Sequence, residues 1–156
     1  MSGDRREYTM LNAAIVGLGR WGRYLVDAVQ AGGTPKGEAI RFTRGITRTP
    51  ANASDYAVAQ QLLLSNDLGD ALADPDIEGL VFATPHEQHA DQIRAASAAG
   101  KHIFIEKPLS LTKASAEQAV AHAQCGSVVL ALGHNRRFLH SMGALKRLVD
   151  EGELGT

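Results

Sequence analysis

A chain of 156 residues, 44% hydrophobic, 21% charged and 5% aromatic, is long enough to bury its own core, and this composition excludes a disordered or fibrous protein. A formal net charge of -1 leaves no basic footprint for nucleic acid. No apolar run approaches the roughly 18 residues of a membrane span, and the polar stretch Met1 to Met10 lacks the apolar core of a signal peptide. The expectation is a cytoplasmic protein, without nucleic-acid or membrane partners, whose residues 1–10 are disordered. The single Cys125 excludes an internal disulfide, and its place near the end of an Ala-rich helix suits a small buried or half-buried residue.

The first element is a strand from Leu11 to Val16. It breaks into Gly17-Leu18-Gly19-Arg20-Trp21-Gly22, three glycines spaced G-x-G-x-x-G before a helix from Arg20 to Ala31. Each glycine has a separate task there: Gly17 the tight turn, Gly19 the close approach of backbone to a pyrophosphate, Gly22 the packing of helix on strand. Free N–H groups at the helix start then favour an anion. Gly32-Gly33-Thr34-Pro35 stops the helix, and a second strand falls within Ala39 to Thr47, although Arg41, Arg44 and Gly45 make it polar for a central parallel strand. Thr49-Pro50 reads as an N-cap and first helical position, opening a helix through Ala57, Val58, Leu62 and Leu63. A short helix follows from Asp67 to Ala73, closed by Asp74-Pro75.

Ile77 to Ala83 is a compact apolar strand, followed by a helix from Glu87 to Ala99 that Gly100 ends. His102 to Ile105 is the next strand, Thr112 to Gln124 the next helix, and Val128 to Leu132 the last strand of the series. This alternation predicts an α/β fold, a doubly wound parallel sheet with helices on both faces, in residues 11–137. Ligands on such sheets bind beyond the carboxyl ends of the strands. The residues that follow each strand are therefore the candidates: Gly17 to Gly22, Thr47-Arg48-Thr49, Ala83-Thr84-Pro85-His86 with His89, Glu106-Lys107-Pro108, and Asn135-Arg136-Arg137.

Taken together, the Gly-Leu-Gly-Arg-Trp-Gly turn, Ala83-Thr84-Pro85 with His89, Glu106-Lys107-Pro108, and His134-Asn135-Arg136-Arg137-Phe138 resemble the Gfo/Idh/MocA oxidoreductases, the family of glucose-fructose oxidoreductase and inositol dehydrogenase. The resemblance implies a Rossmann-type domain with a nicotinamide dinucleotide across the sheet. It places Thr84, Pro85 and His89 near the nicotinamide ribose, and Glu106 and Lys107 beside the reactive ring, with Lys107 as the catalytic residue. Hydride leaves a carbinol carbon only as the hydroxyl proton is taken, so a titratable group belongs at that place, and Glu106 could hold the lysine. In the family the Lys-Pro bond of this motif is often cis. His89 can also be read as a hydrogen-bonding residue without catalytic duty. His86 and His89 as metal ligands lack a Cys or carboxylate to complete a set, so no metal is expected. The doublet leaves open whether Arg136 or Arg137 faces the site.

The cofactor follows from a departure. Where NAD-preferring proteins carry an acidic residue at the end of the second strand, this chain has Thr47-Arg48-Thr49. A guanidinium and two hydroxyls suit a 2′-phosphate, so NADP is expected ahead of NAD. Residues 138–156 contain an amphipathic helix from Phe138 to Glu151 and read as the start of a second domain. In the family that α/β domain supplies the sugar-binding surface, further catalytic residues and the interface of a homo-oligomer. With it absent, the chain is expected to bind cofactor without turning over a polyol. Two classes stay open: the cofactor half of an oxidoreductase acting on a sugar, cyclitol or similar polyol, or a non-catalytic module that senses the cofactor or serves a partner subunit.

Overall fold

The computed structural model describes residues 10–37 and 39–154, so the expectation for residues 1–10 lies outside it apart from the exposed Met10. Six strands form one sheet: β1 (Leu11–Val16), β2 (Ile40–Ile46), β3 (Leu63–Ser65), β4 (Gly79–Phe82), β5 (His102–Ile105) and β6 (Leu130–Leu132). Every pair is parallel, in the order β3-β2-β1-β4-β5-β6, which is the order of a doubly wound Rossmann sheet. The helices are α1 (Arg20–Val29), α2 (Ser54–Gln60), α3 (Leu68–Ala73), α4 (His89–Ala98), α5 (Lys113–Cys125) and α6 (His140–Asp150). Among the described residues no helix is long and apolar enough to cross a membrane.

Side chains alternate across a pleat, and the core divides accordingly. Ala13, Ile15 and Val81 face a layer with Val26 of α1 and Ala57 of α2. Ala14, Val16, Leu80 and Phe82 face the other layer, with Ala71 of α3, Ile93 and Ala96 of α4, and Ala119 of α5. A buried isoleucine such as Ile15 or Ile93 contributes about 1.5–3 kcal/mol relative to exposure. The central strands are thus buried on both faces, which explains their unbroken apolar runs.

The polar character of β2 has a local cause. Arg44 Nη2 lies 2.7 Å from Asp74 Oδ2, and that bond, helped by the Asp76 N–H, holds the Asp74 carboxyl below the usual carboxylate range. Gly45 makes room for Leu18, since a Cβ there would stand 2.7 Å from Leu18 Cδ1. Thr43 is the extra residue of a bulge opposite Ala13 and Ala14.

Several expected boundaries move. α1 ends at Val29, because Gln30 turns inward: its Oε1 accepts the Phe42 N–H at 2.8 Å and its Nε2 donates to Gln60 O at 3.1 Å. Gln30–Ala31 instead pairs antiparallel with Thr34–Pro35. Thr49 does not cap with its side chain, and Pro50–Ala53 is a 3-10 turn before α2. That helix stops at Gln60 because Gln61 takes a left-handed φ of 56°. Leu63, expected in the helix, opens β3. Asp27 Oδ1 joins α1 to α2 by accepting from Tyr56 at 2.7 Å and Gln60 at 2.9 Å, and burial together with this bond holds the Tyr56 phenol above its ordinary range. The β4 and β6 strands are shorter than Ile77 to Ala83 and Val128 to Leu132. Cys125 is exposed, a correction, since the last residue of α5 turns away from the sheet.

Candidate functional site

The glycine turn joins β1 to α1 at the carboxyl edge of the sheet. Gly17 has φ +97°, and a Cβ on it would stand 2.5 Å from Ala83 O. A Cβ on Gly22 would stand 1.8 Å from Gly17 O, so helix and turn touch only because both lack side chains. Gly19 differs: nothing lies within 4 Å of where its Cβ would be, and its backbone borders open space. The first intrahelical bond of α1 runs from Arg23 N to Gly19 O at 3.0 Å; Gly17 N donates to Ile46 O at 2.8 Å, and the N–H groups between them remain for an anion. No acidic residue stands in that first turn.

Two clefts adjoin at this turn. The larger, about 810 Å³, is bordered by Gly17, Leu18 and Gly19, by Thr47, Arg48 and Thr49, and by Ala83, Thr84 and Pro85. The smaller, about 420 Å³, is lined by Trp21, Ala83, Thr84, His86, Glu106, Lys107, Asn135 and Arg136. The two clefts share Ala83 and Thr84 and so lie side by side along the strand ends. Each is of the size of ordinary small-molecule sites. Arg136 lines the smaller cleft and Arg137 does not, which answers the question the doublet left. Arg20, Gly22, His89 and Pro108 line neither cleft.

β2 ends at Ile46, so Thr47-Arg48-Thr49 follow it directly, and Thr47 N donates to Ser65 O at 3.0 Å. Arg48 is exposed at the cleft. The hydroxyl of Thr84 donates to Gln92 Oε1 at 2.6 Å, tying the β4 turn to α4. The Glu106 carboxylate rests over Gly133, where a Cβ would stand 2.7 Å from Oε1. Among the described residues no ion pair joins it to Lys107, so Glu106 does not hold the lysine as expected. Lys107 is exposed, and its peptide with Pro108 is cis. His89 is fully buried, with Nδ1 2.7 Å from Pro108 O and Nε2 3.2 Å from Thr84 O. Both ring nitrogens thus face protein carbonyls, which removes His89 from the metal pair weighed with His86.

Sequence reasoning missed part of the larger cleft. Arg23 Nε donates to Leu18 O at 3.2 Å and its Nη2 to Asn52 O at 2.9 Å, pinning the glycine turn to the 3-10 turn after β2. Asn66 and Arg94 also line the cleft. Asn66 follows β3 directly, so the rule of strand ends would have found it had β3 been read as a strand.

Known proteins resemble this chain in sequence and fold. The family model described as "Oxidoreductase family, NAD-binding Rossmann fold" matches residues 11–134. An uncharacterized oxidoreductase of Bacillus subtilis (strain 168), YrbE, is 33% identical over 143 residues, covering 91% of this chain and 40% of that protein. The scyllo-inositol 2-dehydrogenase (NAD(+)) of the same organism is 32% identical over 152 residues, covering 93% of this chain and 42% of that protein. The crystal structure of GenD2 from gentamicin A biosynthesis, in complex with NAD, superposes with a TM-score of 0.83 at 28% identity, over 93% of this chain and 40% of that one. The chain therefore spans well under half the length of these relatives. The glycine turn, the strand order and the match over residues 11–134 agree: the chain belongs to the Gfo/Idh/MocA oxidoreductase family, and that span is its NAD-binding Rossmann domain.

Proposed function

We propose that this chain is the cofactor half of an oxidoreductase that uses NADP in preference to NAD and acts on the CH-OH group of a sugar, cyclitol or similar polyol. The observation that carries the reading is the pair of adjoining clefts that share Ala83 and Thr84, with the glycine turn and Arg48 in one and Lys107 in the other. The residues fit a dinucleotide: backbone at Gly19 is open to approach, free N–H groups stand where a pyrophosphate would lie, and no carboxylate occupies the end of β2.

In this reading Arg48 pairs with the 2′-phosphate while Thr47 and Thr49 offer hydroxyls to its oxygens. Leu18 fills the space over Gly45 and so sets the floor of the adenosine cleft. Trp21, Ala83, Thr84 and His86 wall the nicotinamide cleft, and Pro85 borders the adenosine side of the same turn. A bound nicotinamide supplies the acceptor or donor of hydride. Lys107 takes the substrate hydroxyl proton as base or relay, or returns it in the reverse direction. Asn135 and Arg136, opposite Trp21, orient the polar groups of cofactor or substrate. Residues 138–156 form the passage to a second domain, which supplies the polyol surface and the contacts of a homo-oligomer. The free thiol of Cys125 suits the reducing cytoplasm.

Titration of wild-type and Arg48→Ala protein with NADPH and NADH tests the reading. A charge-assisted hydrogen bond is worth about 1.5–3 kcal/mol, so the variant loses NADPH affinity about tenfold to a hundredfold and keeps its NADH affinity. Wild-type preference for NADH, or an equal loss for both cofactors, overturns the assignment of Arg48.

A further inference from the structure

His89 is the only one of the six histidines that is fully buried, and it stands between the two turns that bound the smaller cleft. Thr84, which lines both clefts, belongs to one turn; Pro108, next to Lys107, belongs to the other. The two acceptors of the ring are carbonyl oxygens, so the ring nitrogens can only donate to them. A neutral imidazole has one N–H. The contact to Pro108 O at 2.7 Å is the shorter and that to Thr84 O at 3.2 Å the longer, so the proton is assigned to Nδ1. On the solvent side the His86 ring meets His89 edge-on, with centroids 5.5 Å apart, and His86 is the ring that reaches the cleft.

We infer that His89 is a positioning residue: its Nδ1–H, donating to Pro108 O, fixes the turn that carries Lys107 against the turn that carries Thr84, and so sets the shape of the nicotinamide cleft from behind. This rests on the cofactor reading above, because only that reading makes the cleft a nicotinamide site. The bond matters more than the space the ring fills. Without it Pro108 O loses its donor from α4, and the lysine turn relaxes away from Thr84. The larger cleft has no such dependence on Pro108.

The side-chain nitrogen of asparagine can take the place of Nδ1, and that of glutamine the place of Nε2. His89→Ala, His89→Asn and His89→Gln therefore separate the two contacts. NADPH reads both clefts, and 2′,5′-ADP reads the adenosine end alone. His89→Ala should weaken NADPH about fivefold to tenfold while 2′,5′-ADP changes less than about twofold; His89→Asn should recover most of the loss and His89→Gln little. In the cofactor-free protein, amide exchange at Lys107 and Leu109 should quicken in the Ala and Gln variants and not in Asn. Equal losses for both nucleotides, or rescue by Gln as good as by Asn, overturn the inference, as does failure of both the Asn and Gln variants to fold. If the wild type binds neither nucleotide, the cofactor reading falls, and the exchange pattern at Lys107 and Leu109 decides the positioning role by itself.

Discussion

The two edges of the sheet treat their charges differently. At the edge where strands begin, Lys101 is buried and its Nζ donates to Asp74 O and Ile77 O, both at 2.7 Å, while Asp74 takes the Arg44 guanidinium. At the edge where strands end, Arg48, Lys107 and Arg136 enter no ion pair among the described residues, and each faces a cleft. The first arrangement is closed: the Lys101 ammonium and Arg44 Nη2 have their acceptors inside the protein, and these bonds hold neighbouring segments together. The second is open, with cations and backbone N–H groups aimed at space. Satisfied polar groups contribute to the fold, and unsatisfied convergent ones mark where a ligand completes them.

Substitutions at the two edges should therefore fail in different ways. The largest effect belongs to the open edge. In a form of this protein that turns over substrate, Lys107→Ala should lower kcat by about 10² or more, as for a lost acid or base, with little change in cofactor affinity by titration. Near-normal kcat would take the lysine out of the chemistry. Gly22→Ala places a Cβ 1.8 Å from Gly17 O, and such overpacking costs about 3 kcal/mol. Urea unfolding should show that loss together with the loss of nucleotide binding, since the turn itself is displaced.

At the closed edge, stability and binding should separate. Lys101→Met leaves Asp74 O and Ile77 O without their buried donor, at a cost of about 1–3 kcal/mol, while NADPH affinity stays as in the wild type. A fall in affinity at unchanged stability would blur the contrast between the edges. The smallest effect is that of Asp74, whose folded carboxyl lies below its unfolded value because of Arg44. Its stabilisation is present at neutral pH and is lost as the pH falls below about 4, toward the depressed folded value. Asp74→Asn should accordingly lower the urea midpoint by a constant amount across the neutral-to-alkaline range and flatten the acid limb, with variant and wild type converging as the pH falls below about 4.

Legibility in the sequence followed the range of the forces involved. The turn from Gly17 to Gly22 could be read because each glycine answers a constraint within a few residues of it. The strand ends at Thr84 and Glu106 could be read because short apolar runs stop there. β3 could not: Leu62 and Leu63 fit a helical stripe as well as a strand, and only Gln61 in a left-handed conformation separates them. With β3 went Asn66, one residue of the wall of the larger cleft. Burial of His89 was equally hidden, since its ring meets Pro108, which lies far along the chain in the turn after β5. Glu106 was read as a partner of Lys107 because they are neighbours, yet both lie in the turn beyond β5, and the Glu106 carboxylate went to Gly133.

The central claim is that the two clefts are one dinucleotide site. Amide chemical shifts followed by heteronuclear NMR during titration with NADPH test it most directly. The account predicts that Gly17, Gly19 and Gly22, Arg48 and Thr49, Thr84, Lys107 and Arg136 all shift, with a single saturation curve. Shifts confined to one cleft, two separate curves, or no shift at the glycine turn would contradict it.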